Sequence, residues 1–139
     1  MAGEESKRAK IEERKIEERK KYNPITEKII GSAYQVSNTL GTGFLEKVYE
    51  NALAHEIRKT GLRVEQQFPI QVWYDGIVVG DFYADLLVEN CIMVELKAVK
   101  TLLDVHKAQV INYLKSTGLP LCLLINFGNT RCEIKRLAY

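Results

Sequence analysis

From Asp81 to Lys97, apolar and polar residues alternate in two runs separated by Glu89-Asn90-Cys91. One parity is wholly apolar: Phe82, Ala84, Leu86 and Val88, then Ile92, Val94, Leu96 and Ala98. The other carries Asp81, Tyr83, Asp85 and Leu87, then Met93, Glu95 and Lys97. Alternation by two is the period of a β-strand. It predicts two strands with one covered face, and with Asp85, Glu95 and Lys97 together on the opposite face. Register decides whether the carboxylates meet. A two-residue turn sets Asp85 against Val94 and breaks the apolar face. A three-residue loop, with Asn90 available for a left-handed conformation, sets Asp85 against Glu95.

Elsewhere the pattern changes period. Asn23-Pro24 reads as a helix cap followed by proline at the first helical position. Ile25, Ile29, Ala33, Val36 and Leu40 then recur at helical spacing up to Gly41. A second helix is expected from about Phe44 to Thr60, capped by Thr42, with Leu45, Val48, Tyr49, Ala52, Leu53 and Ile57 turned inward. Glu46 falls inside or beside that arc, and Glu50 nearer its edge, as the substitute for the same role. An inward carboxylate is costly without a partner. Arg63 to Tyr74 reads as a strand with an edge or bulge near Pro69. Asp75-Gly76 marks a hairpin, and Gly80 a bulge. A helix is expected from about Leu102 to Thr117, its apolar face carrying Leu102, Leu103, Val110 and Leu114 with His106, Gln109 and Tyr113. Leu119 to Phe127 is a near-continuous apolar run typical of a strand covered on both faces, and Arg131 to Arg136 alternates as an outer strand. The order predicts an α/β fold, a mixed sheet flanked by helices. The helix after Lys97 serves as the crossover to a parallel strand.

Composition narrows the function classes. The 139 residues are 46% hydrophobic and 27% charged, which is one soluble domain's worth. No membrane-spanning stretch or signal-peptide core is visible, and three cysteines, Cys91, Cys122 and Cys132, read as reduced residues of a cytoplasmic protein. Net charge is +2, and residues 1–21, with eight Lys/Arg and six Glu, supply all of it (8 − 6 = 2). Residues 1–22 read as a charged extension, a solvated helix or a disordered segment. Residues 23–139 read as the folded domain. Nucleic-acid affinity must then come from local charge placement, a metal or the tail.

Asp85, Glu95 and Lys97 suit one chemistry. Two adjacent carboxylates favour a hard cation, magnesium or manganese, with the Leu96 carbonyl as a further ligand. Such an ion activates water and offsets charge on a phosphodiester, and Lys97 would assist. An isolated Glu-x-Lys more often means an ion pair, but here the residues come in conjunction. Asp85 followed by Glu95-Leu96-Lys97, Gln109-x-x-x-Tyr113 and the helical Glu46 resembles the PD-(D/E)XK nuclease superfamily. Within it, Gly43-Phe44-Leu45-Glu46-Lys47-Val48-Tyr49 resembles the signature of the GxxExxY family, as does Leu124-Ile125-Asn126-Phe127-Gly128. Ala84 stands where the motif has proline. The resemblance implies metal ligands at Asp85 and Glu95, a catalytic lysine at Lys97, an accessory acid at Glu46, and Gln109 and Tyr113 beside the site. His106 is a weaker accessory. A hydrogen-bonded inward histidine is the commoner case. Trp73 and Tyr74 read as core in preference to base-stacking groups. Two functions are compatible with these residues: a magnesium-dependent nuclease acting on DNA or RNA, or a nuclease-fold binding or assembly module, with a homo-oligomer or partner protein compatible with either.

Overall fold

The computed structural model describes residues 2–139. In chain order its elements are α1 (Ala2–Lys20), α2 (Asn23–Leu40), α3 (Glu46–Lys59), β1 (Val64–Tyr74), β2 (Ile77–Val88), β3 (Ile92–Lys97), α4 (Asp104–Thr117), β4 (Leu121–Asn126) and β5 (Glu133–Leu137). The strands form one mixed sheet in the order β1-β2-β3-β4-β5. Only β3 and β4 run parallel, joined through α4. Two turns fix the meander. Asp75 and Gly76, both at positive φ, close β1 onto β2. Glu89 and Asn90, also both left-handed, set Val88 against Ile92, which leaves a three-residue loop. The expected bulge lies beside Gly80, where the register slips between Val72 and Trp73.

Two cores sandwich the sheet. On one face Ile29, Ala33 and Val36 of α2 and Tyr49, Leu53 and Ile57 of α3 pack on Leu86, Val94, Leu96 and Leu123. On the other, Val110 and Leu114 of α4 pack on Met93, Cys122 and Leu124. Every residue of β4 is buried, as a strand covered on both faces must be. The three cysteines are free thiols. In α1 the described side chains are exposed. Those of Lys15, Ile16, Glu18 and Arg19, in the second copy of the charged repeat, lie outside the described residues. No described helix is long and apolar enough to cross a membrane.

Several expectations need correction. The inward arc of α3 is rotated: Glu50 and Ala54 are buried, whereas Leu45 is 80% exposed and Val48 faces water. Leu45 is not in the helix at all. It is the N-cap residue in extended conformation, without a side-chain cap bond, so Thr42 does not cap. Leu103 plays the same N-cap part for α4 and is exposed. Asn23 lies inside α2, where its side chain accepts from Arg136. Trp73 and Tyr74 are exposed near the β1–β2 turn and pack in neither core.

The single apolar face expected of the meander is also divided. Leu86 and Val88 belong to the α2/α3 core, but Ala84 and Phe82, of the same parity, belong to the α4 core. On β1 the change falls between Val64 and Phe68. The cause is local: Gln67 has φ 54, and the pairing of β1 with β2 skips Gln67 and Asp85. On β1 the left-handed residue reverses the parity beyond it, and on β2 the change falls at Asp85, the residue that the pairing skips.

Candidate active site in the fork of the sheet

The pairing of β2 with β3 ends at Leu86↔Val94. Beyond it β2 continues with β1, and β3 continues with β4 as far as Lys97↔Asn126. Asp85 stands on one prong of this fork, Glu95 and Lys97 on the other. The strand groups left unpaired there find side chains instead. The Asp85 N–H donates to Glu95 Oε1 at 3.2 Å, and the Leu96 N–H donates to Asp85 Oδ2 at 2.8 Å. Each carboxylate therefore spends one oxygen on the opposite strand and is fixed by it.

Burial pushes Glu95 up to about 8, helped by the Asp85 charge and opposed by its bond to the Asp85 N–H. Burial likewise raises Asp85 above the ordinary carboxylate range, against the pull of the Leu96 N–H. Among the described residues neither carboxylate has a basic side chain within 4 Å. Two half-buried carboxylates with no ion-pair partner within 4 Å among the described residues fit a hard divalent cation. No three His, Cys, Asp or Glu side chains converge among the described residues. Further ligands would therefore be backbone carbonyl, such as that of Leu96, or water.

The second acid of the helix is placed in two ways. Glu46, in the first turn of α3, is exposed. Its carboxyl is nonetheless raised by partial burial and then by the Asp85 charge, with Lys97 acting in the opposite sense. It sits beside the fork on the solvent side. Glu50, one turn on, is 3% exposed and fully engaged. Its Oε2 accepts from Lys47 and from Gln66, each at 2.7 Å, and its Oε1 accepts from Gln67. Tyr49 fixes the approach to α3. Its hydroxyl donates to the Gly41 carbonyl at 2.7 Å and accepts from the Phe44 N–H at 3.3 Å, while its ring stacks on Phe127.

From the other face, Tyr113 reaches the site region. Its ring stacks on Phe82, and its hydroxyl is raised by burial and by the Glu95 charge, with a hydrogen bond from exposed Gln109 opposing. His106 is occupied otherwise: its Nδ1 accepts the Leu103 N–H at 3.0 Å and closes the start of α4. This is the ordinary structural use of an inward histidine.

A family model for the PD-(D/E)XK nuclease superfamily matches residues 23–137. The chain belongs to this superfamily. PD-(D/E)XK nucleases typically use magnesium or manganese. No curated protein and no solved structure gives a significant match.

Sequence reasoning gave no role to two parts of this candidate site. One is the pair Gln66-Gln67. The other is Asn126, wholly buried, whose Oδ1 accepts from the Val99 and Gly128 N–H groups and whose Nδ2 donates to the Val99 carbonyl at 2.8 Å. Together with the Phe127 N–H on the Lys97 carbonyl, this clamps the segment carrying Lys97. An asparagine inside the apolar run of β4 was the available signal. For Gln67 the only signal was the irregularity expected near Pro69, which names no side chain.

Proposed function

We propose that this chain hydrolyses phosphodiester bonds of DNA or RNA with a divalent cation, magnesium or manganese. The observation that carries this reading is the fork, which brings two half-buried carboxylates together with no ion-pair partner within 4 Å among the described residues, while Lys97, two residues along, acts on both from further off. Asp85, Glu95 and the Leu96 carbonyl would hold the ion. When bound, it would supply an activated water and offset charge on the phosphate. Lys97 is assigned to the reacting phosphate and water, Glu46 to the solvent side of the same centre, and Tyr113 with Gln109 to its flank. Within the superfamily we assign the chain to the GxxExxY family. Tyr49 of that signature ties down the Gly41–Phe44 loop, and Glu46 is presented beside Asp85.

The test is cleavage of single- and double-stranded DNA and RNA with Mg²⁺ or Mn²⁺, with EDTA abolishing activity. Asp85→Ala and Glu95→Ala are expected to remove metal binding and cleavage together. Lys97→Ala is expected to remove cleavage while binding metal as well as before or better, because a nearby positive charge is gone. A folded sample that binds no divalent ion at millimolar concentration and cleaves nothing would establish the alternative, a nuclease-fold binding or assembly module. One observation favours that alternative: from Val64 to Leu96 there are six acidic residues and no Lys or Arg, which leaves this part of the sheet with little attraction for phosphate.

A further inference from the structure

We infer that Gln67 is a positioning residue that sets the metal affinity of the site by bridging Glu50 to Asp85. The inference rests on the proposed metal site and adds a residue to it. Consecutive residues of a regular strand send their side chains to opposite faces. Gln66 and Gln67 break this rule, since both donate to Glu50, one to each carboxylate oxygen. Only the left-handed conformation of Gln67, φ 54, turns both amides to the same side. A bulky non-glycine residue rarely adopts that conformation, and such strain persists where the surroundings hold it in place.

The Gln67 amide is held on one side by a fixed partner. Glu50 is buried, and Lys47 and Gln66 saturate its other oxygen. This leaves Glu50 an anchor and not a free ligand. From that anchor the Gln67 Nε2 also reaches Asp85 Oδ1, at 3.4 Å. Asp85 Oδ2 is held by the shorter bond from the Leu96 N–H, at 2.8 Å, so Oδ1, with the longer contact and a lone pair to spare, is the oxygen better placed to take a cation. Gln67 thus fixes the second oxygen as the Leu96 N–H fixes the first. Hydrogen-bond partners of metal-ligating carboxylates typically change metal affinity by about 10–100-fold when removed.

The experiment uses the full chain and Mn²⁺ as the probe. Binding is read by calorimetry and by the Mn²⁺ electron paramagnetic resonance spectrum, with thermal unfolding in chelator measured alongside. The decisive variant is Gln67→Gly, because glycine accepts a positive φ without strain but carries no amide. Its unfolding midpoint is expected to fall modestly, because relief of the backbone strain offsets only part of the loss of the donor to Glu50 Oε1, while the folded protein binds Mn²⁺ about 10–100-fold more weakly. Gln67→Asn, which tolerates the same backbone but is too short to span both carboxylates, is expected to behave alike. If Gln67→Gly binds Mn²⁺ like the wild type, Gln67 serves only the turn and the inference is overturned. It is equally overturned if both variants fail to fold, since the bridge is then a folding element. A wild type that binds no Mn²⁺ fails differently, by removing the metal reading itself.

Discussion

Single residues hold the site against its own electrostatics, and the cost is readable in pH. The Glu95 carboxyl titrates from an ordinary value of 4.5 when unfolded to about 8 when folded. The folded state therefore holds a proton that the unfolded state has lost between these values. The resulting stabilisation is complete below pH 4.5 and vanishes as pH rises through 8. In chelator, the unfolding midpoint of the wild type relative to Glu95→Gln is expected to fall between about pH 5 and 8.5, as measured by calorimetry. Saturating Mg²⁺ is expected to reverse most of that loss at the alkaline end, because only the deprotonated carboxylate ligates. Gly128 is constrained by space: a Cβ there would lie 1.9 Å from the Val99 carbonyl oxygen. Gly128→Ala must displace backbone beside the Lys97 segment. It is expected to cost about 3 kcal/mol or more in urea unfolding, with cleavage lost in step.

Among elements, α3 shows where the periodic pattern was informative and where it misled. Its existence, its end and the burial of Tyr49, Leu53 and Ile57 follow from spacing. Its start does not, because Leu45 and Val48 are apolar yet lie outside the packed arc. Apolar residues often remain at the surface, so a wheel reads the arc's width better than its angle. That angular error is what ranked Glu46 as the inward acid and Glu50 as the outer one. Leu45→Ser supplies the missing side-chain cap and is expected to raise stability by about 0.5–2 kcal/mol in urea unfolding. Tyr49→Phe removes both bonds to the Gly41–Phe44 loop and is expected to lower it by about 1–3 kcal/mol. The β2–β3 register was legible because a turn of fixed length permits one pairing. The face reversal at Gln67 was not, because a left-handed glutamine leaves no mark in composition or period.

At the scale of the molecule, the net positive charge lies in residues 1–21 and not in the strands of the fork. Removing residues 1–21 is expected to leave Mn²⁺ affinity unchanged, while weakening nucleic-acid binding and flattening its salt dependence in filter-binding assays. The crossing of the β1–β2 ribbon from one core to the other has a further consequence. Its inner half is anchored by α2 and α3, its outer half by α4, and the joint between them is Gln67 with Asp85. The two cores can open as separate cooperative units, as segments of native proteins commonly do. Amide hydrogen exchange should be slowest in β3 and β4, which both cores cover. Exchange in outer β2 should track α4, and that in inner β2 should track α2 and α3. Whichever unit opens first pulls Asp85 away from Glu95, so the joint is the place where local unfolding is felt as chemistry. An ion spanning the two strands would therefore act as a rivet, synchronising exchange in halves of the ribbon that otherwise open independently.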